Sequence, residues 1–185
     1  MKNKYNLIIG AAFAIGAITI FSACRTIPRG VHAVKPFDKD KYMGKWFEIA
    51  RFDFRFEKNL NNTTAEYSLR NDGKIKVVNR GFNFKTGKQK EVIGKAKFVA
   101  ADNEAKLKVS FFGPFYSGYN VISIDKDYKY ALVSGKNRDY LWILSRENTI
   151  PDDIKQFYIK KAEDMGFDVS KFVWGGTEIA FNQLL

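Results

Sequence analysis

Between Trp46 and Arg146 the chain is a run of short segments in which apolar and polar residues alternate, each ended by turn residues. Alternation with period 2 sends one side of a segment to a core and the other to solvent, the mark of a strand. Residues 46–52 open the series, with Trp46, Glu48 and Ala50 expected on one face. Residues 63–69 place Ala65, Tyr67 and Leu69 together, and the turn Asn71-Asp72-Gly73 leads into 74–80, where Ile75 and Val77 alternate with lysines. An Asp-Gly pair tolerates the positive φ that tight hairpins need. Lys85-Thr86-Gly87 precedes 91–99, with Gly94, Ala96 and Phe98 facing one way. Asp102-Asn103-Glu104 precedes 106–112, with Leu107, Val109 and Phe111 inside and Lys106, Lys108 and Ser110 outside. Residues 119–124, 128–134 and 139–146 complete eight strands. Such a set could close as a sandwich or as an up-and-down barrel, and hairpin-length connections without a long crossover favour the all-β antiparallel barrel.

After residue 149 the period changes. Ile154, Phe157, Tyr158, Ala162 and Met165 recur at helical spacing, Pro151 with Asp152 and Asp153 suits a helix start, and Gly166 suits its end. This predicts one C-terminal helix packed on the barrel wall, then an extended segment at 167–174. The tail 175–185 has no clear pattern.

The first 23 residues read as an export leader: Lys2 and Lys4, an apolar run from Leu7 to Phe21, then Ser22-Ala23 before Cys24. The run is short for a bilayer span, which needs about 20 apolar residues. Cys24 is the single cysteine of the chain, and its placement resembles the lipobox of bacterial lipoproteins, in which that thiol is acylated and becomes the new N-terminus. The alternative is an ordinary leader that leaves Cys24 as a free thiol. Residues 24–39, with Pro28, Gly30 and Pro36, are expected to be a lipidated start and tether, and residues 40–185 the folded domain.

The formal charge of +11 would suit nucleic acid, but the bases are scattered between apolar strand residues and form no block. No nucleic-acid partner is expected, and anionic lipid headgroups are a better match. His32 is the only histidine and falls in the tether, so a histidine metal site or a Ser-His relay has nothing to build on. No metal, cofactor or catalytic group is expected.

Three short motifs then stand out: Gly44-Lys45-Trp46, Asp125-Lys126-Asp127-Tyr128 leading into Tyr130-Ala131-Leu132-Val133, and Leu144-Ser145-Arg146. In this order they resemble the three conserved regions of the lipocalin family. The longer blocks 46–52, 108–116, 138–146 and 166–172 resemble its bacterial outer-membrane branch, kin of apolipoprotein D. The middle motif departs from the family in beginning Ile124-Asp125 where Thr-Asp is usual. The motif residues also make physical sense. Arg146 shares the parity of Trp142 and Leu144, so its guanidinium can stack on the Trp46 indole beside Gly44 and close a barrel floor. Glu48 is expected near Arg146 as a floor ion pair.

Inward parity gives a wall of Tyr67, Val77, Phe98, Val109, Phe111, Asn120, Ile122, Tyr140 and Trp142. The resemblance implies pocket positions at Tyr67, Asn120 and Trp142. It also implies a fatty acid or lysophospholipid as ligand, and attachment through Cys24 to the outer membrane, facing the periplasm. Arg25 follows Cys24 where an inner-membrane lipoprotein commonly has Asp. Two other readings remain: a structural envelope lipoprotein with a filled barrel, and a lipid-modifying enzyme. The aromatic cluster 111–116 is open to three uses, as part of the mouth, as a membrane contact or as a homodimer contact.

Overall fold

The structure is a computed structural model that describes residues 25–54 and 58–175. The leader, Cys24 and most of the tail (176–185) lie outside the described residues. A short helix α1 (Lys39–Tyr42) enters β1 (Gly44–Phe52), followed by β2 (Leu60–Leu69), β3 (Ile75–Asn83), β4 (Lys88–Phe98), β5 (Lys106–Ser110), β6 (Ser117–Ile124), β7 (Tyr130–Ser134) and β8 (Leu141–Ser145). Helix α2 (Asp152–Asp164) and a short β9 (Phe172–Trp174) complete the chain. Each of the first seven strands pairs antiparallel with the next, and β8 pairs with β1, so the sheet closes into a barrel. Closure leaves none of those strands as an edge strand along its whole length.

Strand direction separates two ends. The start of β1 and the β2–β3, β4–β5 and β6–β7 connections form the floor, and the other four connections form the mouth. At the floor, Asp125 organises the β6–β7 turn by accepting from the backbone N–H groups of Asp127, Lys129 and Tyr130 at 2.9, 2.7 and 2.6 Å. That is the physical content of the middle motif.

β1 is not a regular strand. Glu48 pairs with Leu144 and Ala50 with Ile143, so Ile49 is an extra residue, a bulge. Trp46 and Glu48 face the interior, but Ile49 and Ala50 pack with Phe52 under α2, and Ala50 is therefore not on the Trp46 face as the alternation predicted. Parity resumes with Arg51 opposite Trp142, which carries a guanidinium into the barrel. β1 pairs with β2 only through Gly44–Phe47, and its second half takes β9 instead. The sheet is thus parted near the mouth, and Arg51 donates across the gap to the Leu60 carbonyl at 3.1 Å.

Residues 25–37, expected as a tether, lie against the outside of β6 as a strap. Val34 N–H donates to Val121 O and Ala105 N–H to Val34 O, both at 2.9 Å, and Val31 and Phe37 are buried. The strap runs from the mouth, where Thr26 meets Gly118 and Lys136, to the floor, where Phe37 N–H donates to Asn103 O. A Cβ on Gly118 would lie 1.9 Å from the Thr26 oxygen, so only glycine allows this approach.

Helix α2 lies beside the strap, packed with Val31, Ile122, Leu132 and Ile143. Tyr158 and Ala162 are buried, and the Tyr158 hydroxyl donates to Tyr130 O at 2.8 Å. Phe157, read as part of the packing stripe, is instead 53 % exposed.

Candidate functional site: an apolar cavity along the barrel axis

The floor is built first by sequence-local geometry. Gly44 has φ +92°, a left-handed value that favours glycine. This turn lets the Arg146 guanidinium lie 3.8 Å from the Trp46 ring centroid. The same guanidinium donates to the carbonyls of Lys41, Lys45 and Tyr128 at 2.7, 2.9 and 3.2 Å. It ties α1, β1 and the β6–β7 turn together. Trp46 is fully buried, and its indole N–H donates to Tyr42 O at 2.9 Å. Gly44, Trp46 and Arg146 thus sit together at the closed end.

Above them a cavity of about 560 Å³ extends towards the mouth. Of the nine wall residues expected from parity, Tyr67, Val77, Val109, Phe111, Tyr140 and Trp142 line it. Phe98 has the expected parity but packs lower, 6.4 Å from the Phe37 ring, where strap and floor aromatics fill the space. Asn120 and Ile122 are on the opposite side of the wall. Asn120 donates from Nδ2 to Thr26 O at 2.7 Å and to Gly135 O at 3.2 Å, and Ile122 packs with Leu132 and Tyr158. Tyr119 takes the inward place on β6. The parity reading fails here because both sides of β6 are buried, one by the cavity and one by the strap. A strand buried on both sides carries no polar-out signal to fix its phase.

Among the polar groups in the largely apolar lining, two sets are hydrogen-bonded within themselves. Near the floor, Tyr119 Oη lies 2.6 Å from Tyr42 Oη and 2.7 Å from Tyr67 Oη, a linked row of three phenols. Burial pushes the Tyr42 and Tyr119 hydroxyls well above their usual pKa, which favours the neutral form of both. Higher on the wall, Glu48 accepts from Arg51 Nη1 at 2.7 Å, and Asp53 lies 3.5 Å from Arg51 Nη2. Glu48 therefore pairs with Arg51 and not with Arg146 as expected. Burial raises the Glu48 carboxyl above its ordinary value, against the pull of Arg51. Arg51 was missed because a bulge reverses the parity of everything after it, and the sequence Glu48-Ile49-Ala50 carries no glycine or proline to announce one.

At the mouth, Phe54 stands edge-on to Tyr140 and Trp142, with ring centroids 5.3 and 5.6 Å away. Phe112 and Phe115 continue this collar outward. No group of acids, histidines and cysteines able to hold a metal ion occurs among the described residues.

An eight-stranded barrel closed at one end, with an apolar cavity entered at the other, defines a small-ligand-binding calyx. The comparisons place it: residues 37–176 match the profile of the lipocalin-like domain. The chain is 52 % identical over 164 residues to the outer membrane lipoprotein Blc of Escherichia coli K12, covering 89 % of this chain and 93 % of that one. It is 36 % identical over 143 residues to apolipoprotein D of Macaca fascicularis, covering 73 % and 74 %. Insecticyanin of the tobacco hornworm Manduca sexta has the same fold, with TM-score 0.65 over 84 % of this chain and 89 % of its own at 22 % identity. The chain belongs to the lipocalin family.

Proposed function

We propose that this protein binds fatty acids or lysophospholipids in its barrel as a lipid-anchored protein of the bacterial outer membrane, storing or carrying them within the envelope. The observation that carries the reading is the cavity: about 560 Å³, lined chiefly by aromatic and aliphatic side chains, with a minority of polar groups that includes the phenol row, Glu48, Thr63, Asn79 and Lys90. Such a lining suits an alkyl chain and offers few partners to sugars or ions. Burying a methylene is worth about 0.8 kcal/mol, so a chain of about fourteen to sixteen contributes about 11–13 kcal/mol before the costs of association, against about 8 kcal/mol net for micromolar binding. Acylation of Cys24 and an address facing the periplasm follow the lipobox-like leader and the relatives named as outer membrane lipoproteins. A filled structural barrel fits poorly with a cavity of this size. A lipid-modifying enzyme would need a reactive group there, and the acid on the wall, Glu48, is engaged by Arg51.

The test is a titration of a form starting at Arg25 with monomeric lysophospholipid, followed by tryptophan fluorescence beside Trp142→Ala. The expected result is a saturable change at one ligand per barrel, weakened about tenfold or more in the variant, as loss of a large wall ring implies. A folded, delipidated protein that shows no saturable change would remove this reading for that lipid.

A further inference from the structure

The strap decides which way the barrel faces. Its first described residues, Arg25 and Thr26, are fixed at the mouth: Thr26 O accepts from Asn120 Nδ2 at 2.7 Å and sits over Gly118. Arg29 O, a few residues on, accepts from Arg138 Nη2 at 2.9 Å on the β7–β8 connection. The chain that precedes Arg25, Cys24 included, is therefore joined to the barrel at the rim of the cavity.

The same end carries the chemistry of a bilayer contact. Phe115 is 80 % exposed, Phe112 66 % and Ile93 54 %, and Phe112 and Phe115 also border the cavity entrance. Apolar side chains this exposed, gathered at one rim, mark a contact surface. Around them the bases Lys85, Lys88, Lys90 and Lys136 are exposed, and a shallow cleft beside the strap is lined by Arg25, Arg29, Lys136 and Arg138. Among the described acids at this end, Glu91 is bonded to Arg80 and Asp53 lies 3.5 Å from Arg51, while beside Arg138 at the end of α2 Asp164 pairs with Lys160 and Asp168 with Lys171, leaving Asp139 and Glu163 against this set. Apolar tips within a basic border match an anionic lipid surface, with the rings in the acyl boundary and the bases at headgroup level.

We infer that the barrel mouth rests on the membrane that holds the Cys24 anchor, with Phe112 and Phe115 inserted and the basic cleft on anionic headgroups, so that lipid enters the cavity directly from the bilayer. The inference rests on the acylation of Cys24 proposed above. It explains why the strap is ordered along β6, since a free tether would leave the orientation of the mouth undetermined.

The test uses the mature acylated protein in vesicles of phosphatidylethanolamine and phosphatidylglycerol. Because Cys24 is acylated, a cysteine at Phe115→Cys, or at Asp72→Cys in the floor hairpin, takes an environment-sensitive dye uniquely. The expected result is a blue-shifted dye at 115, quenched by spin-labelled lipid, and an aqueous dye at 72. Two aqueous dyes, or a quenched dye at 72, would overturn the inference. A shift at 115 that follows protein density and resists lipid quenching would overturn it in favour of a homodimer contact. The anchored double variant Lys85→Glu/Lys88→Glu, at exposed bases outside the cavity lining, should take up fluorescent lysophospholipid from these vesicles about tenfold more slowly, with unchanged affinity for the monomeric lipid in solution. Unchanged uptake would also count against it. Loss of binding in solution would strike the lipid-binding reading instead, while the dye pair still reports orientation.

Discussion

Arg146 shows how one side chain converts a short motif into a closed barrel. It stacks on Trp46 and satisfies three carbonyls from three different segments, a task the rigid fork of arginine performs and the point charge of lysine does not. Arg146→Ala should destabilise the protein by about 2–3 kcal/mol in urea unfolding, with Arg146→Lys recovering less than half. The phenol row gives a pH signature. Burial raises the Tyr42 and Tyr119 pKa above the unfolded value of about 10, so the fold favours the neutral form. That contribution is intact below about pH 10 and is lost as pH rises through the folded pKa. Urea midpoints should therefore fall steeply above about pH 10, and less steeply in Tyr119→Phe, with phenolate absorbance following the same transition. Trp46, Gly44 and Arg146 were legible in the sequence because a motif brings them together and parity agrees. Arg51 was not, since nothing in its neighbours declares the bulge.

The elements were legible to different degrees for physical reasons. β3, β4 and β5 alternate lysine with apolar residues because one side of each faces water, and their phase was read correctly at Val77 and Val109. β6 has no water-facing side over most of its length, so Asn120 and Ile122 were placed inside when Asn120 in fact secures the strap. Gly118 and Thr26 hold that contact from the two sides. Gly118→Ala should displace the start of the strap while leaving the barrel folded. Limited trypsin digestion should then cleave after Arg29 at least about tenfold faster than in the parent, as expected for a segment whose local opening has become easy. The helix was readable from its period, and Phe157 was misassigned because a lone exposed aromatic at the stripe's margin looks the same in sequence as a buried one.

For the molecule as a whole, closure of the barrel was legible from hairpin spacing, and the cavity was not. Strand patterns state which side is apolar but not whether opposing side chains meet. The structure shows that they meet at the floor, where Phe37, Tyr42, Trp46 and Phe98 fill the interior, and part above it. The seam between β1 and β2 lies in that upper part, bridged by Arg51 in place of ladder hydrogen bonds. Hydrogen exchange should be fastest among the strands at residues 60–63, and Arg51→Met should accelerate it there by about tenfold or more, because the Leu60 carbonyl loses its donor.

The strap also has a mechanical consequence. It lies along β6 from rim to floor, and a pull on an anchor at the rim acts nearly along its length. Its contacts from Thr26 to Phe37 are then loaded side by side and share the force, whereas a strap laid across the strands would peel away one bond at a time. An anchor at the proposed site before residue 25 would thus pass drag along the strap to Phe37 in the floor core.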